Sequence, residues 1–207
     1  MLYQKTVAPI TLGLLIELMQ KSYLNGFNLV GGTSLSLQIG HRISIDLDMF
    51  STDPFDTQEL KSRLEDDFPA FQILLESQNT LITTINNIKV DFIRFKYGFA
   101  YPVLVENNIR LTNIKDIASM KLDAVTGRGK KKDFFDLYFL LKQYSMNELL
   151  ALYNEKYKHA TIFHVIKSIN YFEEAEAEPD PIVVNKKVTW MKVKKTLTEE
   201  VMKLDSR

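Results

Sequence analysis

The 207-residue sequence predicts an α+β fold, with a mixed sheet in the first half and helices in the second. Three observations carry this. Short apolar runs bounded by Gly, Asn and Pro recur between Phe27 and Phe95. The pair Gly31-Gly32 ends one of these runs and opens a stretch of helical character. From Asn113 onward apolar residues return at helical spacing. A hydrophobic content of 45% is ample for a packed interior, so the chain is expected to fold on its own.

Leu12, Leu15, Ile16 and Met19 share a helical face, which predicts a first helix over 9–22 that stops before the Asn25-Gly26 turn. Phe27 to Val30 reads as a strand, and Ser34 to Ile39 as a helix after the glycines. Residues 43–50 alternate between apolar and polar, as in a strand with one buried face. A charged, exposed helix follows over 56–68 and Pro69 ends it. Strands are expected over 71–76, 81–85 and 88–95, with Asn86-Asn87 as a hairpin turn, giving a sheet of about four or five strands. Helices are expected over 114–125, 132–143, 146–157, 161–171 and 192–204. Glu173 to Asp180 carries five acids and no base and is punctuated by Pro179 and Pro181, the composition of a solvated linker. The implied organisation is an α/β core over 1–110, a helical region over 111–172, an acidic linker over 173–181 and a C-terminal helix or tail over 182–207.

The most informative stretch runs from Gly31 to Phe50. A glycine turn opening a helix presents backbone amides to an anion, and Gly31, Gly32, Thr33 and Ser34 could cradle a phosphate. Downstream, strand alternation puts Ser44, Asp46 and Asp48 on one face and Ile43, Ile45, Leu47 and Met49 on the other. Two neighbouring aspartates repel unless a divalent cation or a proton neutralises them, so a magnesium site is the first hypothesis. The plain alternative is a solvated strand face. Asp91, flanked by Val90 and Phe92, is a candidate third carboxylate if its strand pairs beside Asp46 and Asp48; otherwise it is an edge-strand charge. Three converging acids could hold metal ions on a triphosphate.

A second constellation lies between Met120 and Leu141. Lys121 and Arg128 are two helical turns apart and would share a face. Asp133 suits the first turn of the next helix, whereas Asp136 is surrounded by Phe134, Phe135, Leu137, Tyr138 and Phe139 and needs a partner. Two roles stay open for Lys121, Arg128 and Asp136: a structural ion pair between helices, or a grip on triphosphate oxygens with the aspartates positioning base, ribose or lysine.

Composition narrows the remaining classes. Lys+Arg and Asp+Glu number 26 each, so nucleic-acid contact must come from local patches rather than a global basic field. The absence of cysteine excludes disulfides and zinc-thiolate sites and fits a reducing cytosol. The apolar stretch from Ile10 to Met19 is interrupted by Glu17, lacks the pattern of a signal peptide and is too short to span a bilayer, so no membrane role is expected. His41 precedes an arginine and His159 and His164 sit in helical patterns, leaving no serine-histidine-acid set. Residues 185–207 hold seven bases against three acids, an excess of four, with Trp190 among them. That tail could lie along RNA, or it could be a closing helix whose Trp190, Val193, Leu197, Val201 and Leu204 cap the core.

The string Gly31-Gly32-Thr33-Ser34-Leu35, Leu37, Gly40-His41-Arg42, Ser44, Asp46, Asp48 and Phe50 resembles the signature of the AbiEii/AbiGii nucleotidyltransferase toxins, within the DNA polymerase β-like superfamily. So does Met120-Lys121-Leu122, Ala124, Arg128-Gly129, Lys131-Lys132-Asp133-Phe134, Asp136-Leu137-Tyr138 and Leu140. Together they cover about residues 27–141. The resemblance implies a polymerase β-like core using Mg2+ or Mn2+ and a nucleoside triphosphate. Gly32 to Ser34 would form the phosphate turn, with Thr33 near the superfamily's usual serine and Arg42 beside it. Asp46, Asp48 and Asp91 would be metal ligands, Asp91 activating the attacking hydroxyl. Lys121 and Arg128 would meet the nucleotide, and Asp133 or Asp136 would be the functional aspartate of the second motif. Relatives are toxins of toxin-antitoxin or phage-defence systems, encoded beside an antitoxin, and transfer nucleotides to transfer RNA in the cytoplasm. The competing expectations are a non-catalytic nucleotide- or RNA-binding module of the same fold, and an enzyme acting on a protein or small molecule.

Overall fold

Seven strands form one mixed sheet: β1 (Phe27–Val30), β2 (Leu47–Ser51), β3 (Phe71–Ser77), β4 (Thr80–Ile85), β5 (Ile88–Arg94), β6 (Leu104–Glu106) and β7 (Ile109–Leu111). Their spatial order is β3-β4-β5-β2-β1-β7-β6. The β2/β5 and β1/β7 pairs are parallel and the others antiparallel. This computed structural model describes residues 1–158 and 161–205, so His159 and Arg207 lie outside the described residues. The chain divides into two units, residues 1–40 with 44–113, and residues 41–43 with the chain from Ile114 onward.

In the first unit the sheet carries α1 (Pro9–Gln20), α2 (Gly31–Ile39) and α3 (Thr57–Asp67). Paired strands bury matching apolar positions, Leu47 opposite Val90 and Met49 opposite Phe92, all without solvent exposure. Leu60 and Leu64 of α3 and Leu14, Leu15 and Leu18 of α1 complete this core. Proline at the first turn suits α1, and the Asp56 carboxylate caps α3 by accepting from the Gln58 and Glu59 amides at 2.8 and 3.0 Å. The buried face of α1 is rotated from the sequence expectation: Thr11, Leu14, Leu15, Leu18 and Met19 are inside, and Ile16 is exposed.

Two differences from the expected strands matter. The sheet has seven strands because β6 and β7, three residues each, are too short to show a period of two. Their turn, Asn107-Asn108, repeats the positive φ values of Asn86-Asn87. Second, the alternation proposed for 43–50 starts only at Leu47, and Ile45 points outward at 64% exposure. Ser44 instead forms an isolated bridge with Val7, and neither Ile45 nor Asp46 belongs to a strand.

The second unit consists of α4 (Ile114–Arg128), α5 (Lys131–Leu140), α6 (Met146–Lys156), α7 (Ile162–Ile169), α8 (Glu173–Glu176) and α9 (Trp190–Asp205). Its core gathers Leu122, Phe134, Phe135, Leu137, Leu149, Ile169, Val193 and Leu197. A capping box, in which Ser145 and Glu148 satisfy each other's amides, starts α6. The acidic stretch 173–180 is mostly exposed, as its composition suggests, but it holds α8 and is tied to the rest of its unit. Ala175 is buried, Glu176 accepts from Trp190 Nε1 at 3.0 Å, and Glu178 Oε2 accepts from the Lys131 amide at 2.7 Å. The stretch packs because basic and aromatic partners distant in sequence receive its acids. It belongs, with the C-terminal helix, to the same unit as α4 and α5.

Candidate active site

In the first unit, β1 enters α2 through Gly31, whose φ of +66° lies in the left-handed region. A Cβ there would also strike Asp48 Oδ2. Glycine is therefore required by conformation and by space. No side chain caps α2 and no acid occupies its first turn, so its leading amides remain suited to an anion. Thr33 Oγ1 bonds Ser44 Oγ at 2.9 Å and donates to the Asp46 carbonyl, which ties the glycine turn to the carboxylate segment. Ser34 Oγ accepts from Gln38 Nε2 at 3.1 Å. Both hydroxyls thus serve the fold, leaving the amides as the groups best placed to meet a phosphate.

Asp48 in β2 sits opposite Asp91 in the parallel strand β5. Directly paired residues face the same side, on strands about 4.8 Å apart. β5 lies inside the sheet, so Asp91 is not an edge charge. Asp91 is buried; Lys89 Nζ pairs with its Oδ2, while its Oδ1 has no hydrogen-bond partner. An orphaned buried carboxylate oxygen is costly and asks for a cation or a proton. Magnesium commonly uses one or two carboxylates and completes its shell with water and substrate phosphates, so the Asp48 and Asp91 pair fits such an ion. Asp46 is half-buried just before β2. The expected convergence of all three acids is not present: among the described residues no three acidic, histidine or cysteine side chains form a ready cage. Asp46 lies outside β2, which starts at Leu47, so the strand pairing that aligns Asp48 with Asp91 does not extend to it.

The second unit holds a buried charge network. Arg42 grips Asp136 with two nitrogens, Nε to Oδ1 at 2.6 Å and one terminal nitrogen to Oδ2 at 3.0 Å. His41 Nε2 donates to the same Oδ1 at 2.7 Å. Lys121 Nζ bridges Asp136 at 2.6 Å and Asp133 at 2.7 Å, and Arg128 Nε reaches Asp133 at 3.1 Å. Lys121 and both aspartates are buried, whereas the Arg128 side chain is half exposed. Burial opposes each charge, yet Arg42 and Lys121 hold the Asp136 carboxyl well below the usual range. Asp133 is lowered against its own burial by Lys121 and Arg128, and Lys121 is raised against its burial by the two aspartates. Burial lowers His41 despite its bond to Asp136.

The sequence model described as the nucleotidyl transferase AbiEii toxin of type IV toxin–antitoxin systems matches residues 13–111 and 99–205. The chain belongs to the AbiEii nucleotidyltransferase toxin family. It is accordingly a transferase that uses a nucleoside triphosphate. An uncharacterized Aquifex aeolicus protein, aq_aa25, is 38% identical over 160 residues, covering 74% of this chain and 77% of that protein. Among solved structures, JHP933 from Helicobacter pylori superposes with a TM-score of 0.54 at 17% identity, covering 97% of this chain and 95% of that one. The Mycobacterium tuberculosis nucleotidyltransferase toxin MenT4 gives 0.53 at 14% identity, covering 86% and 76%. These two share the fold. Among the described residues no helix of the AbiEii-family chain is long and apolar enough to cross a membrane.

Two buried ion-pair residues of this AbiEii-family chain carry no role in the sequence reading: His41, which joins Asp136 in the network, and Lys156, which forms a separate pair with Asp116 at 2.5 Å. The clue for the first was an acid amid five apolar residues, which demands more than one donor. Gly31→Ala is expected to abolish transfer while lowering stability by about 1–3 kcal/mol, because a left-handed backbone is strained and Asp48 must move. Wild-type activity in this variant would show that the Asp48 position is not critical.

The network also sets a pH dependence. Asp133 and Asp136 have lowered folded values, so their stabilisation is present above about pH 3.9 and lost as pH falls through those values. His41 is likewise lowered; once pH drops below about 6.5 the unfolded chain takes up a proton that the folded one refuses. The melting temperature should therefore begin to fall below about pH 6.5 and drop again near pH 4. His41→Gln should remove the first step. An unchanged profile in that variant would refute the assignment.

Proposed function

We propose that this AbiEii-family protein moves a nucleoside monophosphate from a nucleoside triphosphate to a hydroxyl of transfer RNA, with Mg2+ or Mn2+, as a cytoplasmic toxin countered by an antitoxin protein. The observation that carries the metal-dependent reading is the Asp48 and Asp91 pair, with one orphaned oxygen, beside the glycine turn. When bound, a divalent cation supplies charge stabilisation for the attacking and leaving oxygens. Asp48 and Asp91 would hold it, with Asp46, which precedes β2, outside the pair. The leading amides of α2, from Gly31 to Ser34, bind the phosphate chain and keep the α-phosphorus in line with the acceptor. Asp91 Oδ1, lacking a donor, takes the proton from the attacking hydroxyl as pyrophosphate departs. No covalent intermediate with the protein is required.

To Lys121, Arg128 and Asp133 of the second motif we assign nucleotide binding, with Arg42 and Asp136 fixing the direction of Lys121. Arg128 is the half-exposed cation of this group. Arg128→Ala should weaken triphosphate affinity about tenfold with little change in melting temperature, because an exposed guanidinium is worth little to stability. Equal affinity in a calorimetric titration would remove Arg128 from the site. The acceptor is tested by incubating the protein with each α-labelled triphosphate and, separately, transfer RNA, total protein and small-molecule fractions. Label on transfer RNA supports the reading. Label confined to protein or small molecules contradicts the RNA acceptor, and tight nucleotide binding with no transfer contradicts catalysis.

A further inference from the structure

The sheet face that carries Asp48 and Asp91 continues past them. Side chains alternate along a strand, so Phe50 shares the face of Asp48 while Ile93 and Phe95 share that of Asp91. The ladder runs on beyond β5, where the Phe95 amide donates to the Ser51 carbonyl at 2.7 Å. Phe50 and Phe95 meet with ring centroids 5.9 Å apart. Gly98, at φ +70°, then turns the chain, its amide donating to the Phe95 carbonyl at 3.2 Å. That turn stacks Phe99 on Phe95 at 5.7 Å and sets Tyr97 against the same ring at 5.7 Å. Four aromatic rings thus adjoin one another, beginning about 7 Å along β2 from Asp48.

None of the four belongs to the buried core, and Tyr97 is 51% exposed. The segment from Phe92 to Leu104 carries two cations, Arg94 and Lys96, and no acid. Both cations are exposed, and Lys96 Nζ lies 5.1 Å from the Tyr97 ring centre. Aromatic faces interleaved with cations are what unpaired nucleotides bind, since every base has a face to stack and every phosphate a charge. The spacing also suits a strand whose terminal hydroxyl reaches the carboxylates: 7 Å is about two stacked nucleotides.

We propose that Phe50, Phe95, Tyr97 and Phe99 form a stacking platform for unpaired bases at the end of an RNA acceptor, with Lys96, beside the Tyr97 ring, meeting its phosphates. This rests on the RNA-acceptor reading above. A protein partner is disfavoured because the aromatic segment supplies a cation, Lys96, without an acid to pair a mixed surface.

Fluorescence anisotropy of the full chain with a short, labelled single-stranded RNA ending in a free 3′ hydroxyl tests the platform. Tyr97→Ala should weaken binding about tenfold, Tyr97→Trp should restore it, and triphosphate affinity and melting temperature should not move. If wild type binds and labels RNA but Tyr97→Ala and Phe99→Ala bind it equally well, the platform is overturned and the RNA reading survives. If wild type binds no RNA, both fall. Loss of binding to a purified antitoxin with RNA binding intact makes the patch a protein-docking surface and overturns the platform.

Discussion

Asp48→Ala and Asp91→Asn should each reduce nucleotide transfer about a thousandfold while the protein stays folded, since several kcal/mol of charge stabilisation are lost. The two acids face each other across the parallel β2/β5 pair, away from the apolar positions Leu47, Met49, Val90 and Phe92 that form the core. Removing them costs cation binding and not packing. Asp91→Asn is the sharper variant because it keeps the shape and removes the charge, and its partner Lys89 has a side chain 41% exposed, so that lysine is easily resolvated. Near-normal turnover in either variant would show that the pair is not the reacting centre. A collapse in melting temperature would show instead that the acids hold the sheet together.

The largest stability effect is expected at Asp136. Its carboxylate accepts from His41 and Arg42 and pairs with Lys121, all of them buried. Asp136→Ala strands Arg42 and Lys121 together in the interior, and breaking a buried pair from one side costs about 3–5 kcal/mol. For a chain of this size that is roughly 10 °C in melting temperature. Asp136→Asn should recover part of the loss, since an amide oxygen still accepts one hydrogen bond. A melting temperature within about 2 °C of wild type for Asp136→Ala would contradict the picture of a tightly coupled network.

What could be read from the sequence follows the range of each signal. The glycine turn, the carboxylate segment and the Asn86-Asn87 hairpin are local patterns and were visible, as was the α+β division. That Asp136 needed a partner was legible from its five apolar neighbours. Arg42, 94 residues away, could not be matched to it without coordinates, because no local rule encodes a contact between distant helices and loops. The contacts of the acidic stretch were hidden for the same reason: its composition signals solvation and says nothing of Lys131, Trp190 and Lys194. The late start of β2 was hidden because alternation of residue type continues through Ser44 and Ile45 even where the strand does not. The β6/β7 hairpin was too short to count, though its Asn107-Asn108 turn was a usable clue.

The central claim, that this protein transfers a nucleotidyl group through the Asp48 and Asp91 pair, is tested most directly by following a triphosphate labelled at the α-phosphate against one labelled at the γ-phosphate, with transfer RNA and Mg2+, in wild type and Asp91→Asn. The account predicts α-label on the RNA and γ-label released as pyrophosphate with wild type, and neither with the variant. Appearance of γ-label on the acceptor, or undiminished α-label transfer by Asp91→Asn, would contradict it.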